Sequence, residues 1–329
     1  MKEVESASVD LVVTSPPYPM IEMWDETFCT LNENIRHKMQ RNDGNGAHCL
    51  MHAELDAVWN ETDRVLKDGA IACINIGDAT RSVGGQFQMF PNHSHVTEHF
   101  RELGFACLPS IIWRKPTNAP NKFMGSGMLP PGAYVTLEHE HILIFRKGER
   151  RRFSSEDEKA VRNESAFFWE ERNLWFSDVW TDLRGASQKL NTGNGRERSG
   201  AFPFELPYRL INMYSAKRDV VLDPFLGTGT TVLAAITSMR NSIGYEMDAA
   251  MLSVIKERLE GFKDTANEYA RRRIETHNEF AAGRGCRVVN QPHGFRCMSI
   301  QETNIRFDLV DSIAFDDMGS VKATHSRYE

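Results

Sequence analysis

The 329-residue sequence predicts a doubly wound α/β fold: a mostly parallel sheet with helices on both faces, interrupted by one long insertion. Two observations predict it. Short apolar runs alternate with stretches whose apolar residues recur at helical spacing, the pattern left by parallel strands and their crossover helices. Between 150 and 200 this alternation lapses into a polar, patchily aromatic segment, and it resumes afterwards. The expected division is 1–149 and 201–262 as two halves of one domain, 150–200 as the insertion, and 263–329 as a C-terminal extension.

Val9-Asp10-Leu11-Val12-Val13 reads as a buried strand. It is stopped by Thr14-Ser15-Pro16-Pro17-Tyr18, whose prolines cannot continue a hydrogen-bonded ladder. Leu55, Val58, Trp59, Thr62, Val65 and Leu66 place a helix over 50–66, with Gly69 as its left-handed cap. A strand follows over 70–76, then Gly77-Asp78, a polar loop around Gly84-Gly85, and a helix over 95–103 ended by Gly104. Strands are expected at 105–113 and 141–145. Beyond the insertion come a helix (204–215), a strand (220–222), a helix (230–239), a strand (242–245) and a helix (249–262). A charged helix at 268–279 opens the extension, with Arg271-Arg272-Arg273 facing water, and 307–310 is strand-like.

Composition narrows the classes. A hydrophobic share of 41% and a charged share of 26% are those of a soluble globular protein. No apolar run approaches the ~20 residues of a membrane helix. Met1-Lys2-Glu3-Val4-Glu5 is not a secretory signal, so a cytoplasmic protein with no membrane partner is expected. A net charge of −6 argues against indiscriminate coating of nucleic acid but leaves room for a local basic groove. The six cysteines include no Cys-x-x-Cys pair and read as reduced core thiols, Cys73 and Cys107 within apolar strand runs. His93 with His95, and His139 with His141, would each share one strand face. Neither pair has a third ligand at metal-site spacing, so no metal is expected.

Two motifs carry chemistry. Leu222-Asp223-Pro224-Phe225-Leu226-Gly227-Thr228-Gly229-Thr230-Thr231 stands between a strand and a helix. Its glycines let backbone amides approach a ligand, and the helix start offers unpaired N–H groups and partial positive charge. The next strand ends in Glu246, suited to ribose hydroxyls. No Gly-Lys-Ser/Thr makes it a P-loop, and the third glycine of a dinucleotide fingerprint is missing. The Asp223 carboxylate would repel a pyrophosphate but suits a cationic amino-acid moiety, which favours S-adenosylmethionine. The second motif is Ser15-Pro16-Pro17-Tyr18. The amine of a base is a poor nucleophile, because its lone pair is delocalised into the ring. The Ser15 hydroxyl and Pro16 carbonyl can accept both amine hydrogens, and the rigid Pro16-Pro17 pair fixes their directions. Tyr18 offers a face on which an extruded base can stack. Positioning then carries most of the rate. A structural glycine turn and a proline turn with a buried tyrosine are the plainer readings; both motifs in one chain argue against them.

These residues resemble the β group of DNA amino-methyltransferases, in which the catalytic motif precedes the cofactor motif. The resemblance covers roughly 9–260 and includes Leu66-Lys67-Asp68-Gly69, Asn75-Ile76-Gly77-Asp78, Trp113-Arg114-Lys115-Pro116, Glu140-His141-Ile142-Leu143-Ile144-Phe145 and Phe202-Pro203-Phe204-Glu205-Leu206-Pro207. It implies a Rossmann-like methyltransferase sheet. Ser15, Pro16, Pro17 and Tyr18 would be the catalytic loop. Thr14, Asp223, Pro224, Phe225, Gly227, Gly229 and Thr230 would line the cofactor, with Glu246 on the ribose. In that group serine at the first motif position usually accompanies cytosine N4 and aspartate adenine N6. Cytosine N4 is therefore the expected target in duplex DNA, adenine N6 the alternative, and a catalytically idle DNA-binding module the alternative from another class. Cytosine C5 methylation would need a Pro-Cys nucleophile, which is lacking. The resemblance also leaves room for a homodimer and a cognate restriction endonuclease.

Two departures stand out. Arg198-Ser199-Gly200-Ala201 occupies the place where relatives often carry a histidine. A sheet strand that relatives place upstream of the catalytic strand has little room before Val9, so the tail near 286–310 is expected to supply it. In the group, the segment matching 150–200 often reads the DNA sequence. The basic run 146–152, with Arg150, Arg151 and Arg152, and the later Arg184, Lys189, Arg196 and Arg198 are the DNA-contact candidates. Gln188, Asn191 and Asn194 suit base edges. Phe167, Phe168, Trp169, Trp175 and Trp180 would either join them or form a small core. The glycine-rich 118–133 is a second candidate DNA-facing loop.

Overall fold

The computed structural model describes residues 1–115, 124–185, 202–286, 288–316 and 320–328. In chain order it contains β1 (Val9–Thr14), α1 (Asp25–Leu31), α2 (Glu33–Gln40), α3 (Gly44–Val65), β2 (Leu66–Ile76), β3 (Ala79–Val83), β4 (Gln86–Phe90), α4 (Asn92–Glu102) and β5 (Ala106–Arg114). Next are the short β6 (Met124–Gly125) and β7 (Ala133–Tyr134), then β8 (His139–Arg146), α5 (Glu156–Glu164), α6 (Trp169–Trp175) and β9 (Val179–Trp180). The cofactor-motif half holds α7 (Glu205–Tyr214), β10 (Val220–Asp223), α8 (Thr230–Thr237), β11 (Asn241–Gly244) and α9 (Met251–Glu260). The extension holds α10 (Lys263–Ala281), β12 (Val288–Val289), β13 (Arg296–Cys297), β14 (Asp308–Phe315) and β15 (Val321–Arg327). Among the described residues no helix is long and apolar enough to cross a membrane.

Among the described residues seven strands form the central sheet, in the order β11-β10-β1-β2-β8-β5-β9. β11, β10, β1 and β2 are parallel neighbours, as are β5 and β9; β8 runs antiparallel to both β2 and β5. Both faces are covered, which explains why the central strands read as nearly unbroken apolar runs. Val12, Ile74 and Phe145 pack with Leu55, Trp59, Val96 and Phe100 of α3 and α4. Leu11, Val13, Ile142 and Ile144 pack on the other face with Leu206, Leu210, Ile211, Ala234 and Ala235 of α7 and α8. The expected doubly wound, mostly parallel sheet is present.

Several expectations are corrected. Gly69 does not cap α3: the helix ends at Val65, and Gly69 lies inside β2. Its φ of +82° belongs to a bulge where the register with β1 shifts, and a Cβ there would stand 2.7 Å from the Arg151 backbone nitrogen. The loop around Gly84-Gly85 is the turn of the β3–β4 hairpin, both glycines at positive φ, as a two-residue turn matched to strand twist requires. The tail adds no strand to the central sheet; among the described residues β12 pairs with β13 and β14 with β15. β14 instead closes an apolar cluster over α8 and α9, with Val310 packed beside Leu233, Ile255 and Leu259.

The described part of 150–200 packs against the rest of the chain. Phe168 packs with Ile274, Phe295 and Phe307 of the extension, and Trp175 and Trp180 enter the core beneath β5. These aromatics form a core, and Trp169 alone among the three tryptophans is half exposed. Arg273 does not face water: its guanidinium donates to Glu171 Oε2 (2.7 Å) and to the Tyr208 hydroxyl (3.0 Å). Arg271 and Arg272 are exposed. His93 and His95 belong to α4 rather than to a strand. Cys49 and Cys107 are exposed rather than core thiols, and the described cysteines are all free. In the second candidate loop, 124–133 includes the β6–β7 pair, while 118–123 lies outside the described residues.

Candidate active site

β1 and β10 lie side by side and parallel, with Leu11 opposite Val221 and Val12 opposite Leu222. The two motifs that follow them therefore leave the sheet at one carboxyl edge. This is where the chain's progress across the sheet reverses, the usual ligand crevice of open α/β sheets. A cavity of about 970 Å³ opens there. Ser15, Pro16, Pro17 and Tyr18 line it from one side, and Pro224, Phe225, Gly227, Thr230 and Glu246 from the other. α1 and α3 supply an apolar wall that includes Phe28, Leu55 and Val58.

Thr14, Asp223 and Gly229, expected to line the cofactor, are not among the residues that line this cavity. Asp223 is 2% exposed. Its carboxylate accepts from Thr14 Oγ1 (2.5 Å), Thr231 Oγ1 (2.6 Å) and the Phe225 amide (3.1 Å). It thus staples the catalytic strand to the cofactor turn and the first turn of α8. Burial outweighs these donors and pushes its carboxyl up to about 6. Gly229 is the left-handed N-cap of α8 (φ +81°), and a Cβ there would lie 3.2 Å from Ile255. Arg258 of α9 braces the turn, donating to the Thr228 carbonyl and hydroxyl (2.6 Å each) and to Thr230 Oγ1 (3.1 Å). At the cavity rim Glu246 accepts from the Gly227 and Asp248 amides, each at 2.8 Å.

A polar network ties Tyr18 in place. Its hydroxyl donates to Glu140 Oε2 (2.9 Å) and accepts from Asn75 Nδ2 (2.8 Å). Asn75 also reaches Glu140 Oε2 (2.8 Å), and Lys115 Nζ pairs with Glu140 Oε1 (2.8 Å). Enclosure of the hydroxyl and the adjacent Glu140 carboxylate push Tyr18 well above its usual range. Ser15 Oγ lies 3.0 Å from the Tyr18 hydroxyl. The single Tyr18 proton goes to Glu140, so Ser15 donates to Tyr18; its oxygen accepts a long bond from Asn75 Nδ2 (3.4 Å) and keeps one lone pair for another donor. Asn75, Lys115 and Glu140 carry no role in the motif reading. The signal for two of them is a lone polar residue in, or at the start of, an apolar strand run.

The DNA-contact candidates divide. Arg151 pairs with Asp219 (2.6 Å) and approaches Asp10 (3.6 Å), residues at the amino ends of β10 and β1. Arg150, Arg151 and Arg152 follow β8, whose end at Arg146 is level with Ile71 in the middle of β2, and the Arg151 backbone lies against Gly69 further towards the start of that strand. They lie at the edge of the sheet opposite the cavity, roughly 20 Å away along a six-residue strand. Arg184 is exposed, and a Cβ added to neighbouring Gly185 would stand 3.2 Å from the side chain of Lys115, which lines the cavity. Lys189, Arg196 and Arg198 lie outside the described residues.

Residues 9–257 match the N6_N4_Mtase family model, described as a DNA methylase. The type II methyltransferase M.MthZI of Methanothermobacter thermautotrophicus is 53% identical over 93% of this chain and 86% of its own. M.MjaI of Methanocaldococcus jannaschii is 51% identical over 79% of this chain and 88% of its own. Among solved structures, TTHA0409 of Thermus thermophilus, a protein assigned as a DNA modification methylase and crystallised with S-adenosyl-L-methionine, superposes with a TM-score of 0.58 at 32% identity, covering 78% of this chain and 87% of that one. The PvuII cytosine-N4 methyltransferase, at 18% identity and a TM-score of 0.51, shares the fold. The two motifs meeting at one crevice are those of the group these proteins represent, and the chain belongs to the N6/N4 DNA methylase family.

Proposed function

We propose that this chain methylates the exocyclic N4 amine of a cytosine extruded from duplex DNA, using S-adenosylmethionine. One observation carries the reading: Ser15-Pro16-Pro17-Tyr18 and the Gly227 turn line the same cavity. The cavity fits the cofactor in its donors, with the turn's backbone, the aromatic face of Phe225 and the Glu246 carboxylate at the rim for ribose hydroxyls. When bound, S-adenosylmethionine supplies an electrophilic methyl group on sulfur.

The chain's own residues prepare the nucleophile. Ser15 Oγ, its proton committed to Tyr18, accepts one amine hydrogen, and the Pro16 carbonyl accepts the other. Both contacts favour a pyramidal nitrogen with its lone pair aimed at the methyl group. Tyr18, held by Asn75 and Glu140, presents a fixed face for base stacking. Asp223 acts indirectly, by keeping the two loops in register. Arg184, Lys189, Arg196 and Arg198 are the proposed DNA contacts, Phe202 just beyond them in sequence lining the cavity. The type II names of the relatives support a place beside a restriction endonuclease.

Duplex DNA incubated with isotopically labelled cofactor and digested to nucleosides is expected to yield N4-methylcytosine by mass analysis. N6-methyladenine as the sole product would overturn the choice of target, and no labelled nucleoside would overturn the activity. The Tyr18 ring lies against Gly77, where an added Cβ would stand 2.9 Å from Tyr18 Cε2. Gly77→Ala is therefore expected to displace the ring and lower single-turnover transfer about tenfold or more, with cofactor affinity by calorimetry unchanged.

A further inference from the structure

We propose that Asp78, His93 and His141 form a binding site for a divalent transition-metal ion, zinc being the best fit, on the outer wall of the active site. The three come from separate elements: Asp78 follows β2, His93 is in the first turn of α4 and His141 is in β8. Their ligand atoms all lie within 4.8 Å of one another. His93 Nδ1 stands 2.8 and 2.7 Å from the two Asp78 oxygens, and His141 Nε2 stands 3.9 Å from Oδ2. The two imidazoles are stacked, centroids 4.1 Å apart and planes 19° apart, so their nitrogens address one carboxylate side by side.

The surroundings suit ligation. His93 Nε2 lies 3.1 Å from Ser94 Oγ. A proton on Nε2 given to that hydroxyl leaves Nδ1 with a free lone pair, the outer-partner arrangement of metal-bound histidines. Two imidazoles and one carboxylate form a three-ligand set of the kind zinc completes with a water in the fourth position. Calcium and magnesium prefer all-oxygen sets. Neither histidine pair shows a third ligand in the sequence, because that ligand, Asp78, comes from a different strand end.

The site adjoins the catalytic network without joining it. Asp78 follows Gly77, against which Tyr18 lies, and His141 follows Glu140, which holds the Tyr18 hydroxyl. An ion here would clamp β2, β8 and α4 together behind Tyr18, so its effect is on stability.

The test uses the full chain with any affinity tag removed, stripped by a chelator and titrated with zinc chloride in a calorimeter, with cobalt absorption as a second readout. One ion per chain and a raised melting temperature are expected. His141→Phe keeps the ring stack and deletes a ligand nitrogen; Asp78→Asn keeps the hydrogen-bonding shape and deletes the charge. Each is expected to lose roughly tenfold or more in zinc affinity, with the metal-free melting temperature of His141→Phe close to wild type. No stoichiometric uptake by the wild type at micromolar zinc, or wild-type affinity retained in the variants, would overturn the proposal. Should one variant fail to fold, the other decides.

Discussion

Replacing Ser15 by alanine is expected to lower single-turnover methyl transfer about 10²-fold or more, with cofactor affinity near wild type. The size follows from what the hydroxyl does. An amine nitrogen in conjugation with a base must lose planarity as it attacks, and an acceptor aligned with the pyramidal geometry stabilises the transition state more than the ground state. Ser15 is such an acceptor because Tyr18 takes its proton while Tyr18's own proton goes to Glu140. Alanine keeps the backbone and the Pro16 carbonyl, so the cavity keeps its shape. Quench-flow with labelled cofactor, beside calorimetric cofactor titration, separates the two quantities. Unchanged transfer in the variant would remove Ser15 from the mechanism.

The second large effect is expected at Asp223, and it is one of stability before catalysis. Asp223→Ala leaves the Thr14 and Thr231 hydroxyls and the Phe225 amide without their buried acceptor. Each such loss costs about 1–3 kcal/mol, so about 3 kcal/mol or more is expected in all, a drop of several degrees in melting temperature. Cofactor affinity falls with it, because the same carboxylate sets the glycine turn against the catalytic strand. A pH dependence accompanies this. Burial raises the folded Asp223 carboxyl to about 6 from an ordinary value of 3.8. The native chain thus holds that proton more tightly than the unfolded chain. The stability tied to it is complete below about pH 4 and is lost as pH rises through about 6. In Asp223→Asn this titration is absent. Wild type should therefore gain on the variant, in paired thermal scans, as pH falls from about 7 to about 5; a constant difference would contradict the raised value.

Much of this was legible in residue order. Val9–Val13 and Val220–Leu222 are nearly unbroken apolar runs because both faces of their sheet are covered. Pro16-Pro17 and Gly227-x-Gly229 mark where the chain leaves each strand, since neither can continue a ladder or a regular turn. Other parts were not legible. α1, which helps wall the cavity, and α2 and the first turns of α3 behind it in sequence lie in a polar stretch where Asn32 and Asp43 cap successive helices, signals too local to reveal what the helices cover. Asn75 and Glu140 stand in segments that carry the family resemblance, but nothing local in the sequence gives either a role. Their meeting at Tyr18 depends on the pairing of β2 with β8, a contact between distant segments.

Residue order alone determined the two reactive loops, their order, and the strands that carry them, because each is encoded within about ten consecutive residues. The tertiary structure decided the rest. β8 runs against its neighbours, so the arginine run that follows it emerges at the amino edge of the sheet, where Arg151 is spent on Asp219 and Asp10 instead of facing the cavity. Asp223 turns inward because two threonines, one on each side of the crevice, offer it hydroxyls. Among the described residues the extension packs on α8, α9 and the segment around Phe168 instead of extending the sheet. Strand direction and side-chain aim are properties of long-range pairing, and no local pattern of residues encodes them.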